Sequence, residues 1–125
     1  MKHLIPASLI VAALTHLLPI TGALGSGWLE KLYGLPFGDP NLEILMRHRA
    51  VLFGLLGAFL LTAAFRPALQ GLAFVAGLVS VVSFLYLAWS VGGYNSQISR
   101  VFTADLVALG CLAVGGATFL YRRRA

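Results

Sequence analysis

Apolar residues gather into four long stretches, at 4–24, 44–65, 68–91 and 101–121, separated by short connections rich in polar residues, glycine or proline. A membrane-crossing helix needs about 20 mostly apolar residues, so each stretch is long enough to span. The clearest punctuation surrounds the second, DPNLEILMRHRAVLFGLLGAFLLTAAFR. Asp39 fits a helix N-cap with Pro40 at the first helical position, and Pro67 disfavours helical geometry at Arg66. The uncharged run from Ala50 to Phe65 covers ~24 Å, a little short of the ~30 Å hydrocarbon core. Arg47, His48 and Arg49 then fall at the membrane boundary or just inside it.

Small and polar residues recur on one side of each span. Stepping ~100° per residue from Glu43 brings Arg47, Ala50, Gly54, Gly57, Ala58 and Leu61 to one side of the second. Ser8, Ala12, Thr15, Pro19 and Gly22 do the same on the first. Ala73, Ala76, Ser80, Ser83, Leu87 and Ser90 follow on the third, and Ala104, Ala108, Cys111, Gly115 and Thr118 on the fourth. A mean step of about 3.5 favours left-handed packing of near-antiparallel helices. With short loops in up-down order, the expected fold is an all-α membrane protein, a four-transmembrane-helix left-handed bundle in a single domain. Gly54 is expected at a helix–helix contact, and Leu60 on another, more tolerant face.

The connections add detail. Between the first two spans, Trp28-Leu29-Glu30-Lys31-Leu32-Tyr33 is a short amphipathic piece stopped by Gly34 and Pro36, expected to lie at the interface as a loop segment. Gly92-Gly93-Tyr94-Asn95-Ser96 breaks the third span from the fourth. Lys2, the apolar stretch and the small residues Ala23 and Gly25 also fit a signal peptide. His16 and Pro19 are unusual in a signal core, so the segment is expected to be retained as a span.

Composition agrees with the pattern. Of 125 residues, 59% are hydrophobic and 10% charged, with a mean hydropathy of +0.90. A soluble domain of this length would need more polar surface. Cys111 stands alone, which excludes an intrachain disulfide, a CxxC pair and a cysteine-based zinc site. The net charge of +5 is not a nucleic-acid signature, because Arg122-Arg123-Arg124 follows an apolar run and reads as a topology signal. Lys2, Arg66 and Arg122 to Arg124 outnumber Lys31, Arg47, Arg49 and Arg100 by five to four. The expected placement is a bacterial inner membrane, crossed several times, with both termini cytoplasmic and Glu30, Asp39, Glu43 and Asp105 at the external end.

That topology brings polar residues to one depth, and ionisable groups within a span usually face the bundle interior and pair. The candidate ligand-binding set is His16, Glu43, Arg47, His48, Arg49, Tyr86, Trp89, Tyr94, Asn95, Arg100 and Asp105. Asp105 lies about 6 Å inside its span if the helix starts at Val101. Its expected partner is Arg49 or Arg47, while Glu43 and Arg47 can pair at i,i+4. Histidines at 3, 16 and 48 offer no HExxH or His-x-x-Glu arrangement, so no preformed zinc or di-iron centre is expected. Gly22-x-x-Gly25-x-Gly27 has no strand before it, and GxSxG is absent, so neither a dinucleotide loop nor an activated serine is assigned. No cofactor or catalytic residue is expected. A small multidrug exporter would be similar in length and span count, but such exporters depend on a carboxylate in the first helix, where this chain has only His16.

The strings MRHRAVLFGLLG, LVSVVSFLYLAWSVGGYN and VFTADLVAL resemble a family of small bacterial membrane proteins whose four-helix pattern is similar to the DoxX-like group. The resemblance implies the fold and carries no activity residue by residue. Some look-alikes bear the label phosphopantetheine adenylyltransferase. The soluble enzyme of that name is an α/β nucleotidyltransferase with a Thr/His-x-Gly-His motif, and this chain has neither that motif nor a parallel-sheet pattern. The expected function is binding of a small amphipathic molecule, a lipid or quinone, in a polar pocket at the external end. Arg47 and Arg49 would hold an anionic or carbonyl group, oriented by Asp105, His16 and Tyr94. The competing expectation is an accessory subunit, its small-residue stripes and the Trp28 loop docking on a larger membrane complex or a second copy. A membrane enzyme ranks third, and no nucleic-acid partner is expected.

Overall fold

A computed structural model of the chain describes residues 2–125, and these are helical apart from short connections. The helices are α1 (Leu4–Leu17), α2 (Ser26–Tyr33), α3 (Pro40–Ala64), α4 (Pro67–Val91) and α5 (Ser96–Arg124), with a 3₁₀ segment, Leu18–Leu24, directly after α1. Four units are long and apolar enough to cross a membrane: α1 together with the 3₁₀ segment, α3, α4 and α5. The chain is a multi-pass membrane protein. It packs in the cyclic order α1, α3, α4, α5, with α1 and α4 across the diagonal.

Capping, more than hydropathy, sets where the helices begin. The Asp39 carboxylate accepts from the Asn41 amide at 2.8 Å, and the Asn95 side chain accepts from the Ile98 amide at 2.9 Å. Each satisfies an orphan donor of the first turn. Helices α3 and α5 accordingly start ahead of the apolar runs at 44 and 101. The first span is not uniformly α-helical. Pro19 lacks the N–H that would bond to Thr15, and the chain tightens into 3₁₀ geometry from Leu18.

Helix α1 lies close to both neighbours. A β-carbon on Gly57 would stand 2.7 Å from Leu17 Cγ and 3.1 Å from the Ala13 carbonyl oxygen. On Gly115 it would stand 2.6 Å from Ser8 Cβ. Gly54 meets Ile20 at 2.6 Å in the same sense, so its expected place in a helix contact holds. The core between them contains Leu9, Leu60, Val81 and Leu112, fully buried.

Two readings of side-chain position need correction. Leu60 is at the centre of the core, not on a tolerant face, whereas Ala58 and Leu61 are exposed. Small size was a poor guide because Gly77 on α4 opens a space opposite; a β-carbon there would be 3.5 Å from Leu60 Cδ2. On α4 the stripe holds at Ala73 and Ser80 and then fails. Ser83, Leu87 and Ser90 are exposed because the 3₁₀ segment packs on α1, α2 and α3 and makes no contact with α4.

Segment 25–38 also differs from an interfacial loop. Its polar side, with Trp28, Glu30 and Lys31, is exposed as expected, but Leu29 and Tyr33 of α2 join Phe37 in a second buried cluster over the bundle end. Gly34 ends α2 in left-handed geometry at φ +65°, and a β-carbon there would also strike the Gln97 side chain. Glycine is required on both counts.

These contacts predict opposite outcomes for neighbouring positions. Gly57→Leu should sharply lower the thermal midpoint in detergent, and Leu60→Ala should cost about 2–5 kcal/mol. Leu55→Ala, at a 63% exposed site, should change stability little. Similar midpoints for Gly57→Leu and Leu55→Ala would remove the close α1–α3 approach.

Candidate functional site

Beneath α2 the bundle holds a partly open cavity of about 310 Å³. His16 and Pro19 reach it from the first span, Tyr33 from α2, Arg49 and Phe53 from α3, and Phe84 from α4. Gln97, Arg100 and Asp105 reach it from α5. Lys31 and Arg100 are exposed, whereas His16, Tyr33 and Asp105 are buried.

Arg49 is fixed on one side. It donates from Nη1 to the Tyr33 hydroxyl at 2.7 Å, and its guanidinium carbon lies 4.4 Å from the Phe53 ring centre. Cation–π contact and a charge-assisted hydrogen bond together hold the guanidinium plane. Only one of its five N–H donors is used by Tyr33, so the rest are available to a ligand. Tyr33 is itself pinned, because Asn95 donates from Nδ2 to its carbonyl oxygen at 2.7 Å. Asn95 therefore caps α5 and ties α2 to it.

His16 has both ring nitrogens engaged. Nδ1 lies 2.7 Å from the Ala12 carbonyl oxygen, which can only accept, so Nδ1 carries a proton. Nε2 lies 2.8 Å from Ser80 Oγ, and in the neutral ring it accepts from that hydroxyl. His16 thus joins α1 to α4 and contributes a fixed wall to the cavity.

Asp105 is the opposite case. It is 8% exposed, and no ion pair or side-chain hydrogen bond reaches it among the described residues. The expected pairing with Arg49 or Arg47 does not form. Arg49 is drawn to Tyr33, which α2 brings over the bundle. Arg47 bonds to the Ala23 carbonyl at 3.0 Å and to Glu43 at 3.5 Å, the one ion pair among the described residues. The i,i+4 pairing of Glu43 with Arg47 is as expected.

Of the candidate residues, His16, Arg49, Arg100 and Asp105 meet at the cavity and the others do not. Glu43 and Arg47 pair beside the 3₁₀ segment, where Arg47 reaches Ala23, and His48 is exposed. Tyr86 and Trp89 are exposed and pack on each other, with ring centres 6.3 Å apart. Tyr94 stacks on Phe102 at 5.8 Å, away from the cavity lining. Asn95 acts indirectly through Tyr33.

Tyr33, Phe53, Phe84 and Gln97 were missed. Tyr33 carried a usable signal, since it ends the amphipathic piece just before a helix-stopping glycine. Phe53, one turn after Arg49 on α3, carried another. Gln97 and Phe84 depend on the tertiary arrangement. Among the described residues, no three His, Cys, Asp or Glu side chains are grouped to hold a metal ion.

Comparison of the chain with protein-family models, with curated proteins and with solved structures gives no match, so the functional reading rests on this geometry.

Proposed function

We propose that this is a bacterial inner-membrane protein with cytoplasmic termini, whose external-end cavity binds the polar head of a small amphipathic molecule, a quinone or a lipid. The observation that carries the reading is one buried and one half-buried ionisable side chain, neither held in an ion pair among the described residues. Asp105 and Arg49 line one cavity and are not paired with each other. A charge at that depth is costly without a partner. A ligand carbonyl or anionic oxygen would accept from the free N–H groups of Arg49, and a ligand hydroxyl would donate to Asp105. Leu18, Phe53, Phe84 and Val101 give the same cavity apolar walls. Its volume is near the lower end of the ~300–1,000 Å³ typical of ligand pockets, which suits a headgroup or a single ring.

The kinship with the DoxX-like group implied by the three sequence strings belongs to this proposal. The accessory-subunit reading has less support, because Gly54, Gly57 and Gly115 are occupied by contacts within the bundle. Orientation rests on the arginine excess at the end holding Lys2, Arg66 and Arg122 to Arg124. Arg47 at the other end is already paired with Glu43.

Mass spectrometry of the gently solubilised protein should find a retained quinone or lipid. Arg49→Gln should weaken its binding about tenfold or more, as expected for loss of a charged hydrogen bond. Arg47→Gln should leave it unchanged. A stoichiometric protein partner with no retained small molecule would favour the accessory role instead.

Stability of the ligand-free protein gives an independent check on Asp105. With no ion pair to break, Asp105→Asn should not lower the thermal midpoint, and Arg49→Gln should show no strong coupling to it. A large loss in Asp105→Asn, partly restored by Arg49→Gln, would show that the two side chains neutralise each other.

A further inference from the structure

The end of the bundle away from α2 carries a second, wider groove between the ends of α1, α3, α4 and α5. Lys2, Arg122 and Arg123 line it, and none has a carboxylate partner among the described residues. All four acidic residues of the chain lie at the other end. Arg123 is held over the Phe119 ring, its guanidinium carbon 5.6 Å from the centre, which leaves its N–H edge free.

Two neutral donors converge with these cations. Gln70 lines the groove, yet it is 8% exposed, and its one hydrogen bond, to the Ala64 carbonyl, is a long 3.5 Å. The carboxamide oxygen has no protein partner and is not closed off, so the group remains open to a molecule in the groove. Helix α4 begins here at Pro67 without a side-chain cap, so the partial positive charge of its first turn also faces the groove.

The walls are apolar and open to the membrane. Phe65, Leu72 and Val75 line the groove and are 72%, 64% and 60% exposed. Pro67 to Val75 spans about 12 Å of helix axis, enough for the first carbons of an acyl chain.

We propose that this groove is a binding site for an anionic phospholipid. The phosphate sits among Lys2, Arg122 and Arg123 at the uncapped start of α4, the Gln70 amide donates to an ester carbonyl, and the acyl chain lies along Phe65, Leu72 and Val75. Basic pockets between membrane helices select anionic headgroups in this way. A free phosphate would leave the exposed apolar wall and Gln70 unused. The site is independent of the cavity under α2.

Native mass spectrometry of the detergent-solubilised protein, titrated with phosphatidylglycerol or with phosphatidylcholine of the same chain length, tests the assignment. The protein should retain phosphatidylglycerol at least about fivefold better, and Arg122→Gln/Arg123→Gln should abolish that preference. Arg66→Gln/Arg124→Gln removes the same charge from the same end but outside the groove, and should keep it. Lys2→Gln, a milder change, should reduce the preference even if the double variant is not recovered. Gln70→Met should weaken both lipids alike, because the ester carbonyl is common to them. Equal retention of the two lipids would overturn the site. So would an equal loss of preference in both arginine pairs, which would mean diffuse attraction, or displacement of the lipid by excess inorganic phosphate.

Discussion

The fold depends on how closely α1 approaches α3 and α5 at once. Lipid tails are as apolar as leucine, so membrane helices gain little by hiding leucine from lipid and are held by close van der Waals contact. Gly57 admits Leu17 and Ala13 of α1, and Gly115 admits Ser8. Ser8 brings no unsatisfied donor into that contact, because its hydroxyl bonds to the Ile5 carbonyl at 2.8 Å. Leu60 and Leu112 then meet across Gly77 and fill the space left in the middle. Leu17, Leu60 and Leu112 each face a missing β-carbon, at Gly57 for the first and Gly77 for the other two.

The cavity follows from where that close packing stops. From Leu18 the first span leaves α-helical geometry, and the 3₁₀ segment containing Pro19 does not touch α4. The space between His16, Phe84 and Asp105 is left unfilled, and α2 folds over it. Tyr33 fixes that cover by two bonds, its hydroxyl to Arg49 on α3 and its carbonyl to Asn95 at the start of α5. Arg49 is bonded to Tyr33 and makes no ion pair with Asp105, so a buried carboxylate and a half-buried guanidinium share one cavity.

Local signals made most of the fold legible in the sequence. Four apolar stretches, Asp39-Pro40 and Arg66-Pro67 located the spans, and the stripes through Ala12, Gly54 and Gly115 located packing faces. What escaped was set between helices. Leu60 is buried because Gly77, seventeen positions away in sequence, makes room for it. The candidate site was read by depth alone, and depth does not fix direction around a helix axis. Tyr86, Trp89 and Tyr94 stand near the right level yet point elsewhere, while His16, Arg49, Arg100 and Asp105 converge. Tyr33 was hidden because an amphipathic segment at a membrane boundary can lie flat or fold inward, and its partners Arg49 and Asn95 are distant in sequence.

The two ends of the bundle treat charge differently, and the difference bears on what each can recognise. At the α2 end cations and acids are mixed, and several are already used. Glu43 holds Arg47, Tyr33 holds Arg49, and Glu30 accepts weakly from the Phe37 amide at 3.5 Å. Lys31 and Arg100 are exposed, whereas Asp105 is buried and Arg49 half-buried at the cavity. At the opposite end the cations have no acid to hold them and stand beside apolar surface open to lipid. With all four acidic residues at the α2 end and Lys2, Arg66 and Arg122 to Arg124 at the other, the protein is electrostatically polarised along its axis. The groove with exposed apolar walls and unpaired cations lies at one end, and the cavity with the buried carboxylate lies at the other.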